Sequence, residues 1–109
     1  MNEIITVIQD FANQMTTEYN VREVIVYDSL NKIYGSPLNS LMLERYLSIS
    51  RTTIFKDNEK SSMVSHIKTD EKLYIIVLAS NSPEAFDGIE SQYIVNQILN
   101  LKRKLGEVR

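Results

Sequence analysis

The sequence predicts an α/β protein of the α+β type: one five-stranded antiparallel sheet with helices on both faces. Three observations carry that prediction. Leu73–Ala79 is an unbroken run of seven apolar residues, the pattern of a central strand covered on both sides rather than one that alternates toward water. The stretches 3–19 and 89–108 each carry apolar side chains at helical spacing on one stripe. Between them, Leu38–Ser50 is apolar on two sides. The expected order is helix, strand, strand, helix, three strands, helix (αββαβββα). The terminal helices share one face of the sheet, and the middle helix covers the other.

In chain order, Ile4, Ile8, Phe11 and Met15 repeat at four, three and four residues, which makes a helix over 3–19. Asn20 is its expected stop, because Asn tolerates a left-handed cap. Val21–Asp28 reads as a strand, with Val24, Val26 and Asp28 on one face and Val21, Glu23, Ile25 and Tyr27 on the other. Ser29–Asn31 is the turn, Lys32–Gly35 a short return strand, and Gly35-Ser36-Pro37 its end, since Pro37 has no N–H for a ladder.

The middle helix spans Leu38–Ser50, with Asn39 as its expected cap. Leu38, Leu41, Met42 and Ile49 share one side; Leu43, Tyr46 and Leu47 spread onto another. A helix apolar on two sides has two neighbours, and the second is either this domain's own core or another chain. Arg51–Asp57 has the β-branched and aromatic content of a strand and the Thr/Lys content of an edge. Asp57–Lys60 is a turn by composition. Ser61–Lys68 and Leu73–Ala79 form a hairpin around the polar turn Thr69–Lys72.

Ser82 as N-cap with Pro83 at the first helical position marks the start of the last helix, and Gly88 can delay regular helix to Ile89. Glu84, Asp87 and Glu90 then lie near the positive end of the helix dipole and Lys102–Lys104 near the negative end. Ile94, Ile98, Leu101, Leu105 and Val108 form its stripe, and Gly106 is the expected stop. Two heptads are too few for a coiled coil.

Composition narrows the function classes. A chain of 109 residues supports one domain, 1–109, with a sizeable core. Twelve Lys and Arg against fourteen Asp and Glu give a net charge of −2, which offers no electrostatic case for nucleic acid or an anionic membrane. Without cysteine there is no disulfide framework, thiolate zinc site or thiol nucleophile. No apolar run approaches the length of a membrane span. The opening residues lack a basic signal-peptide start, and Asn2 stands where myristoylation requires Gly. A cytoplasmic location is expected.

Chemistry-bearing motifs are sparse. His66 is the single histidine, on a strand beside Val64 and Lys68, and is read as structural or solvent-facing. No Ser stands in Gly-x-Ser-x-Gly, and three scattered glycines build no phosphate loop. The six tyrosines are dispersed and read as core-edge packing rather than a base-stacking platform. Neither an enzyme nor a cofactor is expected.

The element order resembles the roadblock family: dynein light chains of roadblock type, scaffold subunits, and bacterial or archaeal regulators of small Ras-like GTPases. The residues that carry the resemblance are Val21–Asp28 with Lys32–Gly35, Leu38–Ser50, Met63–Lys68 followed by Leu73–Ala79, and the polar step Ser80–Pro83. The chain departs from the family in having Ser29-Leu30-Asn31-Lys32 where a turn glycine is usual, and larger residues in the middle helix. The resemblance implies a profilin-like sandwich and a dimer, of identical or paralogous subunits, in which middle helices and third strands pair. It also implies a platform for a small GTPase. In that picture Leu41, Met42, Arg45, Tyr46, Ile49, Thr53 and Phe55 are dimer or partner contacts. Two other readings share the architecture: a small-molecule sensor of PAS or GAF type, and an assembly chaperone or adaptor.

Overall fold

The computed structural model describes residues 3–108. The expectations placed on Met1 and Asn2 lie outside the described residues. The elements are α1 (Glu3–Glu18), β1 (Glu23–Asp28), β2 (Asn31–Tyr34), α2 (Ser40–Leu47), β3 (Thr53–Lys56), β4 (Ser61–Lys68), β5 (Leu73–Ser80) and α3 (Ile89–Glu107). The strands form one antiparallel sheet in the order β2-β1-β5-β4-β3. The expected order of elements is the observed one, and the apolar run of β5 is the central strand.

Alternation along β5 explains the two cores. Tyr74, Ile76 and Leu78 point to one face, where they meet Ile8, Phe11 and Met15 of α1 and Ile94, Ile98, Leu101 and Leu105 of α3. Ile75 and Val77 point to the other, where they meet Tyr46 of α2 with Ile25, Tyr27 and Val64. Side chains of consecutive strand residues leave opposite faces, so a strand between two apolar layers must be apolar throughout.

Several local expectations change. Asn20 does not end α1 through a left-handed cap, since Ser29 is the one non-glycine described residue with positive φ. The helix stops at Glu18, and Val21 N–H turns back onto the Tyr19 carbonyl at 2.8 Å. Pairing with β5 then begins as Arg22 N–H reaches the Ala79 carbonyl at 2.7 Å. Regular strand starts only at Glu23, so the alternation does not extend back to Val21. That residue joins the α1/α3 core rather than the face of Ile25 and Tyr27. At the far end of β1, Ser29 takes φ 54° and β2 begins one residue early, at Asn31.

α2 is shorter than the expected Leu38–Ser50. Leu38 and Ile49 flank it and pack inward, instead of sharing an outer side with Leu41 and Met42. Ser82 does not cap α3. Its hydroxyl accepts from Glu84 N–H at 3.3 Å within an irregular turn that carries Ala85 and Phe86 into the α1/α3 core. Burial of Phe86, 1% exposed, outweighs continuing a helix from Pro83. Gly88, at φ 69°, then redirects the chain, and α3 starts at Ile89. Of the three acids expected at its dipole, only Glu90 lies in the first turn; Asp87 instead pairs with Lys56 at 3.2 Å. Gly106 does not stop α3, which runs to Glu107 because Leu105 is anchored in the core and Arg103 spans to Glu107 at 2.9 Å.

Candidate functional site

The site residues named from sequence converge on the face formed by α2 and β3. Local chemistry fixes α2 at both ends. At its start, the Asn39 side-chain carbonyl accepts from Met42 N–H at 2.8 Å, satisfying one of the free N–H groups of the first turn. Just before it, Leu38 N–H donates to the Tyr27 hydroxyl at 2.8 Å, tying the approach to the buried face of β1. At its end, Ser48 N–H reaches the carbonyls of Glu44 and Arg45 at 3.2 and 3.3 Å, and Ser48 Oγ donates to the Arg45 carbonyl at 2.8 Å.

The Tyr46 carbonyl has no helical partner so near the C-terminus. It accepts from His66 Nε2 at 2.7 Å. A carbonyl can only accept, so Nε2 carries the proton. The lone histidine is thus a tie between β4 and the last turn of α2.

Tyr46 itself turns inward. It is 5% exposed, and its ring stands 5.3 Å from that of Phe55 at 45°. Burial pushes its phenol above the ordinary tyrosine range, against the opposing pull of the Arg45 charge. The Arg45 guanidinium lies 4.6 Å above the Phe55 ring, a cation–π arrangement worth about 0.5–1 kcal/mol at an exposed site. Leu43, Leu47 and Ile49 pack beside these groups on the sheet.

The named residues therefore divide. Leu41, 79% exposed, and Met42, 39% exposed, face outward with Arg45. Tyr46 and Ile49 belong to this chain's own core. Thr53 and Phe55 sit on the α2 face of β3, because their cross-strand partners are Val64 and Ser62. Thr53 Oγ1 donates to the Arg51 carbonyl at 2.8 Å.

One residue of this surface was not named from sequence. Ile54, 39% exposed, lies opposite Met63 and so looks toward the α1/α3 side. The alternation Thr53-Ile54-Phe55-Lys56 was the available signal, since it places Ile54 and Lys56 away from α2. Beyond β3 no further strand pairs among the described residues, so one side of its ladder is open.

At the other end of the sheet, β2 is followed by Gly35, and the Glu23 carboxylate of β1 accepts from the Ser36 backbone N–H and hydroxyl. An open groove of about 1320 Å³ lies elsewhere, where the β4–β5 turn meets Glu3 of α1 and the end of α3. It is lined by charges of both signs, among them Lys68, Asp70, Glu71 and Lys102. No helix among the described residues is long and apolar enough to cross a membrane.

No protein-family model matches this chain, and no curated protein matches it.

Proposed function

We propose that this chain is a non-enzymatic interaction module that works as a dimer, with itself or with a paralogous subunit, in the cytoplasm. The α2 and β3 surface is its contact, and a small Ras-like GTPase is the kind of further partner it serves as scaffold or regulator. One observation carries the reading: an uncovered strand edge lies beside a helix that presents Leu41 and Met42 to solvent. An open edge is a template for another strand, and an adjacent apolar surface adds the burial that ladder hydrogen bonds alone do not supply. The resemblance to the roadblock family in the order of elements supports the same assignment.

A sensor of PAS or GAF type calls for a cavity between sheet and middle helix. Here Tyr46, Leu43 and Leu47 rest directly on Val64, Ile75 and Val77, which favours the interaction module. An adaptor role uses the same surface and differs only in the partner.

Sedimentation or light scattering tests the reading. The expected mass is twice that of the 12.6 kDa chain. Leu41→Glu combined with Met42→Glu should return the mass to one chain with an unchanged circular dichroism spectrum. A native chain that sediments as a monomer across the micromolar range would remove the dimer. Affinity capture with the native and double-variant chains then asks whether a Ras-like GTPase is retained only by the native surface.

A further inference from the structure

The backbone of β3 limits how a second copy could pair with it. Asp57 N–H donates to the Lys60 carbonyl at 3.0 Å, so Asp57 and Lys60 close the β3–β4 hairpin as a hydrogen-bonded pair. Such pairs alternate along an antiparallel ladder. The register pairs Phe55 with Ser62 and Thr53 with Val64, so these two are the hydrogen-bonded pairs. Ile54 and Lys56 are then the residues whose N–H and C=O point outward, away from β4.

Two copies of one strand that pair antiparallel are related by a two-fold axis perpendicular to the sheet. Residues opposite one another must then share a face. Ile54 and Lys56 look toward the terminal helices, and Thr53 and Phe55 look toward α2. Two registers centred on the strand satisfy this rule, with the axis at Ile54 or at Phe55.

We propose that a second copy of this chain pairs with β3 so that the two-fold axis passes through Ile54. This rests on the dimer reading above. Ile54 then exchanges both backbone hydrogen bonds with Ile54 of the second copy, and Thr52 and Lys56 do so reciprocally. The half-exposed Ile54 side chains cover each other. Phe55 lies opposite Thr53, and Arg51 comes opposite Asp57. Neither Arg51 nor Asp57 has an ion-pair partner among the described residues. Pairing them across the axis puts opposite charges at both ends of the new ladder.

The register centred on Phe55 is poorer. It sets Ile54 against the ammonium stem of Lys56, so the two Ile54 side chains no longer cover each other, and it moves Arg51 from Asp57 to Glu59, inside the turn. Its hydrogen-bonded pairs beyond Ile54 and Lys56 also require Asn58 to face Thr52 from inside the turn that Asp57 holds through Glu59 and Lys60, whereas the Ile54 register completes its pairs with Thr52, Ile54 and Lys56 alone.

The chain has no cysteine, so single thiols report the register directly. In the proposed pairing the two Ile54 Cα atoms are about 5.5 Å apart, inside the disulfide range of roughly 4.4–6.8 Å. The two Phe55 Cα atoms are offset by two residues and out of reach. Ile54→Cys and Phe55→Cys are oxidised with copper phenanthroline and run on non-reducing gels, with sedimentation of the native chain alongside. The expected result is a native dimer and covalent dimer formation at least tenfold greater for Ile54→Cys. A native dimer in which Phe55→Cys crosslinks better, or neither variant crosslinks, overturns the register and leaves the dimer standing. A native monomer overturns both.

Discussion

Replacing Tyr46 and replacing Leu41 should have opposite consequences, although the two residues lie on one short helix. Tyr46 is 5% exposed and touches the sheet through Ile75, Val77 and the Phe55 ring. Tyr46→Ala removes most of an aromatic side chain that buries roughly 150–250 Å². At about 25 cal/mol per Å² that is about 4–6 kcal/mol as an upper bound. Measured truncations of large aromatic core residues cluster near 3–5 kcal/mol. The His66 bond does not offset the loss, because it is made to the Tyr46 backbone carbonyl and survives the substitution. Leu41→Glu, at a side chain 79% exposed, should change subunit stability by no more than about 0.5 kcal/mol. Urea unfolding at one fixed protein concentration measures both, since a dimer's apparent stability depends on concentration. With a slope of about 1–3 kcal/mol per M, Tyr46→Ala should lower the midpoint by at least about 1 M. Leu41→Glu should leave the subunit's own transition in place while shifting the sedimenting mass. A Tyr46→Ala midpoint within experimental error of the native one would refute the docking of α2 through Tyr46.

Two further perturbations test the turns that set the sheet. At Gly35, φ is +85° and an added Cβ would stand 2.4 Å from the Val24 carbonyl oxygen and 3.0 Å from the Ile25 Cα. Both are backbone atoms that cannot rotate away, so Gly35→Ala should cost about 2–4 kcal/mol from strain and overpacking together, seen as a lower thermal or urea midpoint. Asp57 accepts from Glu59 N–H at 2.8 Å and Lys60 N–H at 3.0 Å, and these bonds hold its carboxyl below the ordinary aspartate value. Because the folded-state pKa is the depressed one, the stabilisation is present above the unfolded-state pKa and is lost as pH falls through the folded one. An NMR titration of the carboxyl carbon should place its midpoint below that of an exposed aspartate, and Asp57→Asn should abolish the turn's contribution to acid sensitivity.

The architecture was legible because its strongest signals are periodic. β5 had to be buried on both faces, and the single stripes of α1 and α3 had to meet one of them. Boundaries were less legible where tertiary packing overrides a local signal. Ser82-Pro83 has the chemistry of a helix start, but Phe86 is drawn into the core and Gly88 resets the direction. Gly106 has the chemistry of a helix stop, but Leu105 is anchored and carries the last turn past it. In the candidate site, the periodicity of Leu38–Ser50 showed that α2 has two apolar sides without showing which belongs to the core. Tyr46 proved to be core because its ring packs with Val64, Ile75 and Val77 of the sheet and stands against Phe55. The hydrogen-bonding phase of β3 was invisible to sequence altogether. It depends on which backbone groups the Asp57–Lys60 turn commits.

The strand at the centre of this sheet is also the last strand to be made. β1 pairs with β2 directly, but its other side is filled by β5 only after α2, β3 and β4 have been synthesised. The β3-β4-β5 meander is local and closes cheaply; docking β1 onto it closes a much longer loop. On the ribosome, therefore, β1 waits with the edge that β5 will take unpaired, and only α1 and α2, made earlier, are there to cover its two faces. The nascent N-terminal half is the aggregation-sensitive stage of this protein's life, and its completion coincides with the emergence of Ser80.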